Sequence, residues 1–155
     1  GFDVIPVGTA AEFAPDRNTL FTPVKNTLVF ADVKETDWYY TYVNTAYSYG
    51  IIKGVSETEF NPNGTITREE VAVMVARAAK LCGVNTDIQS FEARNILSEF
   101  LDYVKASNWA QPSLAFCYKE GILSNDVMDI KPKEFVTRAE IADMLYNMLS
   151  IAELI

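Results

Sequence analysis

The chain has 155 residues, 49% of them hydrophobic and 22% charged, which is the composition of one ordinary globular domain or two very small ones and not of a disordered chain. Thirteen Lys and Arg against 21 Asp and Glu leave a formal charge of −8, which argues against nucleic acid as a partner. The absence of His removes Ser-His-Asp and Cys-His nucleophiles and imidazole-based zinc sites, and no metal or cofactor is expected.

Residues 1–29 read as an N-terminal extension or linker. They carry no basic segment ahead of an apolar stretch, so no signal peptide is read there. A start on Gly is that of a processed or expressed fragment, and says nothing about secretion. No run approaches the roughly 20 apolar residues that span a bilayer, so membrane insertion is not expected. Cys82 and Cys117 are too few for a disulfide framework.

From residue 30 onward the sequence repeats itself. Phe30-Ala-Asp32 and Phe100-Leu-Asp102 are 70 positions apart, as are Thr67-Arg68-Glu69-Glu70 and Thr137-Arg138-Ala139-Glu140. Between them Trp38 and Trp109, Tyr47 and Tyr118, and Gly50-Ile51 and Gly121-Ile122 are 71 apart. One insertion and one deletion reconcile the two offsets, and a duplication explains the order. The repeats span 30–82 and 100–155, with a connector at 83–99.

Each repeat predicts a short helix, a Gly-ended turn, a loop and a longer helix, over approximately 38–50, 67–82, 109–121 and 137–150. Asp37 and Asn108 are read as N-caps of the short helices, whose Val43, Ala46 and Tyr47, or Leu114, Cys117 and Tyr118, share one stripe. Cys117 on that stripe reads as a small buried apolar residue. In the longer helices Thr67 with Glu70 and Thr137 with Glu140 fit a capping box. Behind them Val71, Met74, Val75, Ala78 and Cys82 form one apolar face, matched by Ile141, Met144, Leu145, Met148 and Ala152. About 50 residues alone bury too little apolar surface to be comfortably stable, so one shared core is expected.

Arg68 and Arg138 have no duty in the capping box or the stripe, and the helix macrodipole disfavours a cation at that end. They fit either an anionic ligand or a salt bridge to Asp32 or Asp102. Trp38 and Trp109 fit core packing or, at a helix start, a ring face open to a sugar.

Phe30-x-Asp32-Val, Trp38, Gly50-x-x-x-Gly54, Phe60-x-Pro62 and Thr67-Arg-x-Glu70 together resemble an S-layer homology (SLH) repeat. Phe100-x-Asp102, Trp109, Gly121-Ile122 and Thr137-Arg138-Ala139-Glu140 resemble a second one. The resemblance implies an all-α fold of tandem helix-loop-helix repeats. It further implies a non-catalytic, extracellular module of a bacterial cell wall or S-layer that binds secondary cell-wall polysaccharide, often through pyruvylated sugars. On that resemblance Arg68, Asp32 and Trp38, and likewise Arg138, Asp102 and Trp109, would line the two ligand grooves.

The family usually carries three repeats, and this chain shows two. Glu12-Phe13-Ala14-Pro15 echoes Glu59-Phe60-Asn61-Pro62, although no Thr-Arg-x-Glu follows it. Asn125 stands in place of Gly54, Ile130 in place of Phe60, and Glu69 makes the first tetrad less cationic than the second, so unequal grooves are expected. Two other readings stand beside anchoring. One is a protein-interaction or assembly module without a glycan ligand, engaging other surface proteins or itself. The other is a glycosidase with paired carboxylates, for which no spacing singles out an acid and a nucleophile.

Overall fold

A computed structural model describes residues 30–155; the echo at Glu12–Pro15 lies outside them. Five α-helices and one 3₁₀ turn make up the described fold, in two compact units that divide at Gly64.

The described part of the first unit is built on α1 (Tyr40–Ser48). The helix starts later than the sequence suggests, with Tyr39 at its N-cap and no capping side chain. A turn intervenes, in which the Tyr40 N–H donates to the Asp37 carbonyl (3.0 Å) and the Asp37 carboxylate accepts from the Lys34 N–H (2.8 Å). Asp37 therefore caps that turn and not the helix. Gly50, at φ 72°, ends α1 in the left-handed conformation that glycine adopts without strain. Phe30, Val33, Tyr40, Val43 and Ile52 are buried, and the Phe30 ring lies 5.1 Å from Tyr47 and 5.5 Å from Phe60. Gly54 is required by close approach, since a Cβ there would collide with the Phe30 ring and the Ser56 and Glu59 carbonyls.

The second unit contains α2 (Arg68–Leu81), α3 (Ser90–Leu97), a 3₁₀ turn at Tyr103–Lys105, α4 (Gln111–Lys119) and α5 (Arg138–Ile151). Helices α2 and α5 have 14 residues each, as α1 and α4 have nine, so the duplicated motifs give matched elements. Both long helices open with a reciprocal capping box. Thr67 and Thr137 accept from the Glu70 and Glu140 N–H groups, and the two glutamates accept from the threonine N–H groups. Helix α4 starts after a turn like the one before α1. Its N-cap is Ala110 without a side-chain bond, while Asn108 accepts from the Gln111 side chain.

Leu114, Ala115, Phe116, Cys117 and Tyr118 make α4 apolar around its circumference, so it forms the centre of this unit. It packs on α2 and α3, and α2 also packs on α5. Because α2 belongs to the first repeat by sequence, the two repeats share this core, in which Val71, Val75 and Ala79 meet Leu114, Ile122, Ile130 and Met144. Leu145, placed on the apolar face from its spacing, is exposed. Helix α3 lies in the connector, where the sequence pattern showed no element; Ala93 and Leu97 bury its inner side, and Glu92 holds Lys119 of α4 at 2.7 Å. Both cysteines are free thiols.

Candidate functional site

The two aspartates of the repeats perform the same local task. Asp32 accepts from the Phe60 and Asn61 N–H groups at 2.9 and 2.7 Å, and Asp102 from those of Ile130 and Lys131 at 2.7 and 2.8 Å. Each carboxylate thus fixes the loop ahead of a long helix, and Asn61 and Lys131 both sit at positive φ in the clamped bend. The Phe60 N–H holds the Asp32 carboxyl below its ordinary value despite desolvation. The clamp survives the change of Phe60 to Ile130, because it uses backbone donors.

The loop of the second repeat pairs with the start of α2. The Arg68 and Glu69 N–H groups donate to the Glu134 and Pro132 carbonyls at 2.9 and 3.1 Å, and Val136 donates to Ile66 at 3.2 Å. Two first-turn amides of α2 are thereby satisfied by the other repeat. The Arg68 side chain follows, its Nε donating to the Ile130 carbonyl (3.0 Å) and its Nη1 to Glu140 Oε1 (2.7 Å). The salt bridge to Asp32 or Asp102 weighed from the sequence is not the one formed. Each aspartate is committed to loop amides and Arg68 to Glu140. Nor does Arg68 share a unit with Asp32 and Trp38; its neighbours are the Asp102 loop and the cap of α5. The Tyr118 phenol is buried close enough to Arg68 for the guanidinium to oppose the upward shift that burial imposes.

Glu69 turns the opposite way. Its carboxylate is 3% exposed and accepts from the Ser107 N–H and hydroxyl, both at 2.9 Å, and from the Lys133 ammonium. Sequence reading placed Glu69 beside Arg68 as a local reduction of positive charge and missed its partners, which lie 38 and 64 residues away. The only signal was the contrast with Ala139. Arg138 is exposed and has no hydrogen bond or ion pair among the described residues.

Both tryptophans stand on the turns ahead of the short helices, outside the helical wheel that would have buried them. Trp38 is 81% exposed and Trp109 59%. Trp38 has Tyr39 and Tyr42 beside it, with ring centroids 5.4 and 6.4 Å away. Among the described residues no cluster of acidic and Cys side chains could hold a metal ion, and no helix is long and apolar enough to cross a membrane.

Residues 29–72 and 99–142 match the S-layer homology domain. The chain belongs to the S-layer homology family. Exoglucanase XynX of Acetivibrio thermocellus is 35% identical over 122 residues, 77% of this chain and 11% of that protein. Amylopullulanase of Thermoanaerobacterium thermosulfurigenes is 34% identical over 122 residues, 77% of this chain and 6% of that protein. The surface-layer 125 kDa protein of Lysinibacillus sphaericus is 31% identical over 129 residues, 81% of this chain and 10% of that protein. The SLH segment therefore spans a tenth or less, or little more, of these relatives.

Proposed function

We propose that this chain is a non-catalytic anchoring module of a bacterial cell surface that binds an anionic, pyruvylated secondary cell-wall polysaccharide. The observation that carries the reading is the exposure of both tryptophans at equivalent positions of the two repeats. An indole left in water forgoes a large burial gain, whereas its flat face suits the apolar side of a sugar ring. Arg138 of the second tetrad, exposed at the start of α5, supplies planar donors for a ketal carboxylate, a group that lysine fits less well. That one segment is shared by relatives named as two different enzymes and a surface-layer protein supports a role separate from catalysis.

Titration with purified pyruvylated wall polymer, followed by tryptophan fluorescence, tests this. The emission should shift to the blue and saturate, and Trp38→Phe and Trp109→Phe should each remove part of the change. An unchanged spectrum at saturating polymer would contradict it. A second reading, docking to another surface protein or to another copy, is favoured by exposed Leu101, Val104 and Met128 in the second unit, where Leu101 donates to the Met128 carbonyl at 3.0 Å. Binding to a partner protein with no response to wall polymer would select it.

A further inference from the structure

The two tetrads differ in charge balance as well as in sequence. In the second unit Arg68 is matched by Glu140, and Lys133, whose side chain is 55% exposed, is matched by Glu69. The two cations and two carboxylates of these pairs cancel in charge. Among the described residues Arg138 has no such partner, and Ala139 occupies the position of Glu69.

We propose that Glu69 is a specificity-determining residue that silences anion recognition at the Arg68 centre by occupying Lys133, Arg68 itself being occupied by Glu140, so that the pyruvyl group is read at Arg138 while the Arg68 centre with Trp109 takes the uncharged face of the glycan. The inference rests on the wall-polysaccharide reading above. Three features make Glu69 suited to this. Its carboxylate is buried at the Lys133 ammonium and so stays at hand to the cation, although Lys133 itself is half exposed. Ser107 donates to it twice, once from its N–H and once from its hydroxyl, which fixes the carboxylate in place. It also ties down the turn carrying Trp109, two residues beyond Ser107, so the same group that cancels the charge positions the stacking ring. An incoming carboxylate at this centre would have to displace Glu69 or Glu140 from an existing pair, whereas Arg138 is in no ion pair with another described residue.

The test uses the whole 155-residue chain and two probes, the pyruvylated wall polymer and the same polymer after acid removal of its ketals. Arg138→Ala should abolish the preference for the pyruvylated form. Glu69→Gln keeps one of the two acceptors that Ser107 uses and frees the Lys133 ammonium. It should raise the preference for the pyruvylated over the ketal-free polymer by roughly tenfold at low salt and steepen the salt dependence of that preference. Adding Lys133→Met should cancel the gain, a result that a merely structural role for Glu69 would not produce.

If Arg138→Ala retains most of the preference, the Arg68 centre reads the anion and the inference is overturned, whether or not the Glu69 variants fold. It is likewise overturned if a folded Glu69→Gln protein binds both polymers as the wild type does. Should the wild type bind neither polymer, the anchoring reading falls and takes this inference with it. A wild type that binds and discriminates, with unaltered variants, removes the inference alone.

Discussion

Arg68 and Glu140 lie 72 residues apart in the chain and 2.7 Å apart in space, the arginine of the first tetrad bonded to the glutamate that caps the helix of the second. Glu140 uses one carboxylate oxygen for Arg68 and the other for the Thr137 N–H, so a single side chain closes a helix start and joins the repeats. The arrangement gives the two arginines opposite expected roles in stability. Arg68 is 17% exposed and also serves the Ile130 carbonyl. Arg68→Ala should therefore cost about 1 to 2 kcal/mol, the lower part of the range for charged hydrogen bonds, because Glu140 is 42% exposed. Arg138→Ala should change stability by less than about 0.5 kcal/mol. Urea unfolding of the two variants measures the difference, and equal losses would contradict it.

The caps separate in the same way. Thr67→Ala and Thr137→Ala each remove an acceptor for an N3 amide and should cost about 1 kcal/mol. Glu140→Gln should cost more than Glu70→Gln, since only Glu140 has a cationic partner from the other repeat. Thermal unfolding of the four variants checks the order.

Acid should weaken the fold through carboxylates held below their ordinary values. Asp32 is lowered chiefly by the Phe60 N–H, and Glu140 chiefly by the Thr137 N–H with Arg68 adding to it. A depressed folded-state pKa contributes stability that is present above the unfolded value and lost as pH falls toward the folded one. Unfolding midpoints should thus hold steady near neutrality and drop below about pH 4.5. Asp32→Asn should lower the midpoint at neutral pH and flatten the acid limb, and an unaltered limb would remove Asp32 from the account.

The thiols should differ in reactivity. Burial pushes the Cys117 thiol up to about 12 and leaves its Sγ facing the Ala72 carbonyl at 3.8 Å, while Cys82 is only partly buried and raised less. The thiolate is the nucleophile, so in native protein an aromatic disulfide reagent should modify Cys82 first and reach Cys117 only on unfolding. Simultaneous modification would contradict the burial of α4.

Much of this fold was legible because the same residues occur twice in the same order, and because Thr-x-x-Glu marks a helix start through chemistry confined to four residues. The short helix α3 was not, since Gln89 caps it without a side-chain bond and only Ala93 and Leu97 are buried along it. The tryptophans show a different limit. Spacing assigns a residue to a helical face only if the helix includes it, and α1 and α4 begin two residues beyond Trp38 and Trp109. The partners of Arg68 and Glu69 were invisible for a third reason. They are contributed by loops and turns of the other repeat, and neither capping nor periodicity reports on a pairing between segments 38 or more residues apart.

Calorimetric titration of the chain with purified secondary cell-wall polysaccharide, before and after removal of its pyruvyl ketals, tests the central claim most directly. The account predicts saturable binding to the pyruvylated polymer that weakens by roughly ten- to a hundredfold when the ketals are removed, the loss of one charge-assisted hydrogen bond. Binding of equal strength to both polymers, or to neither, would contradict it.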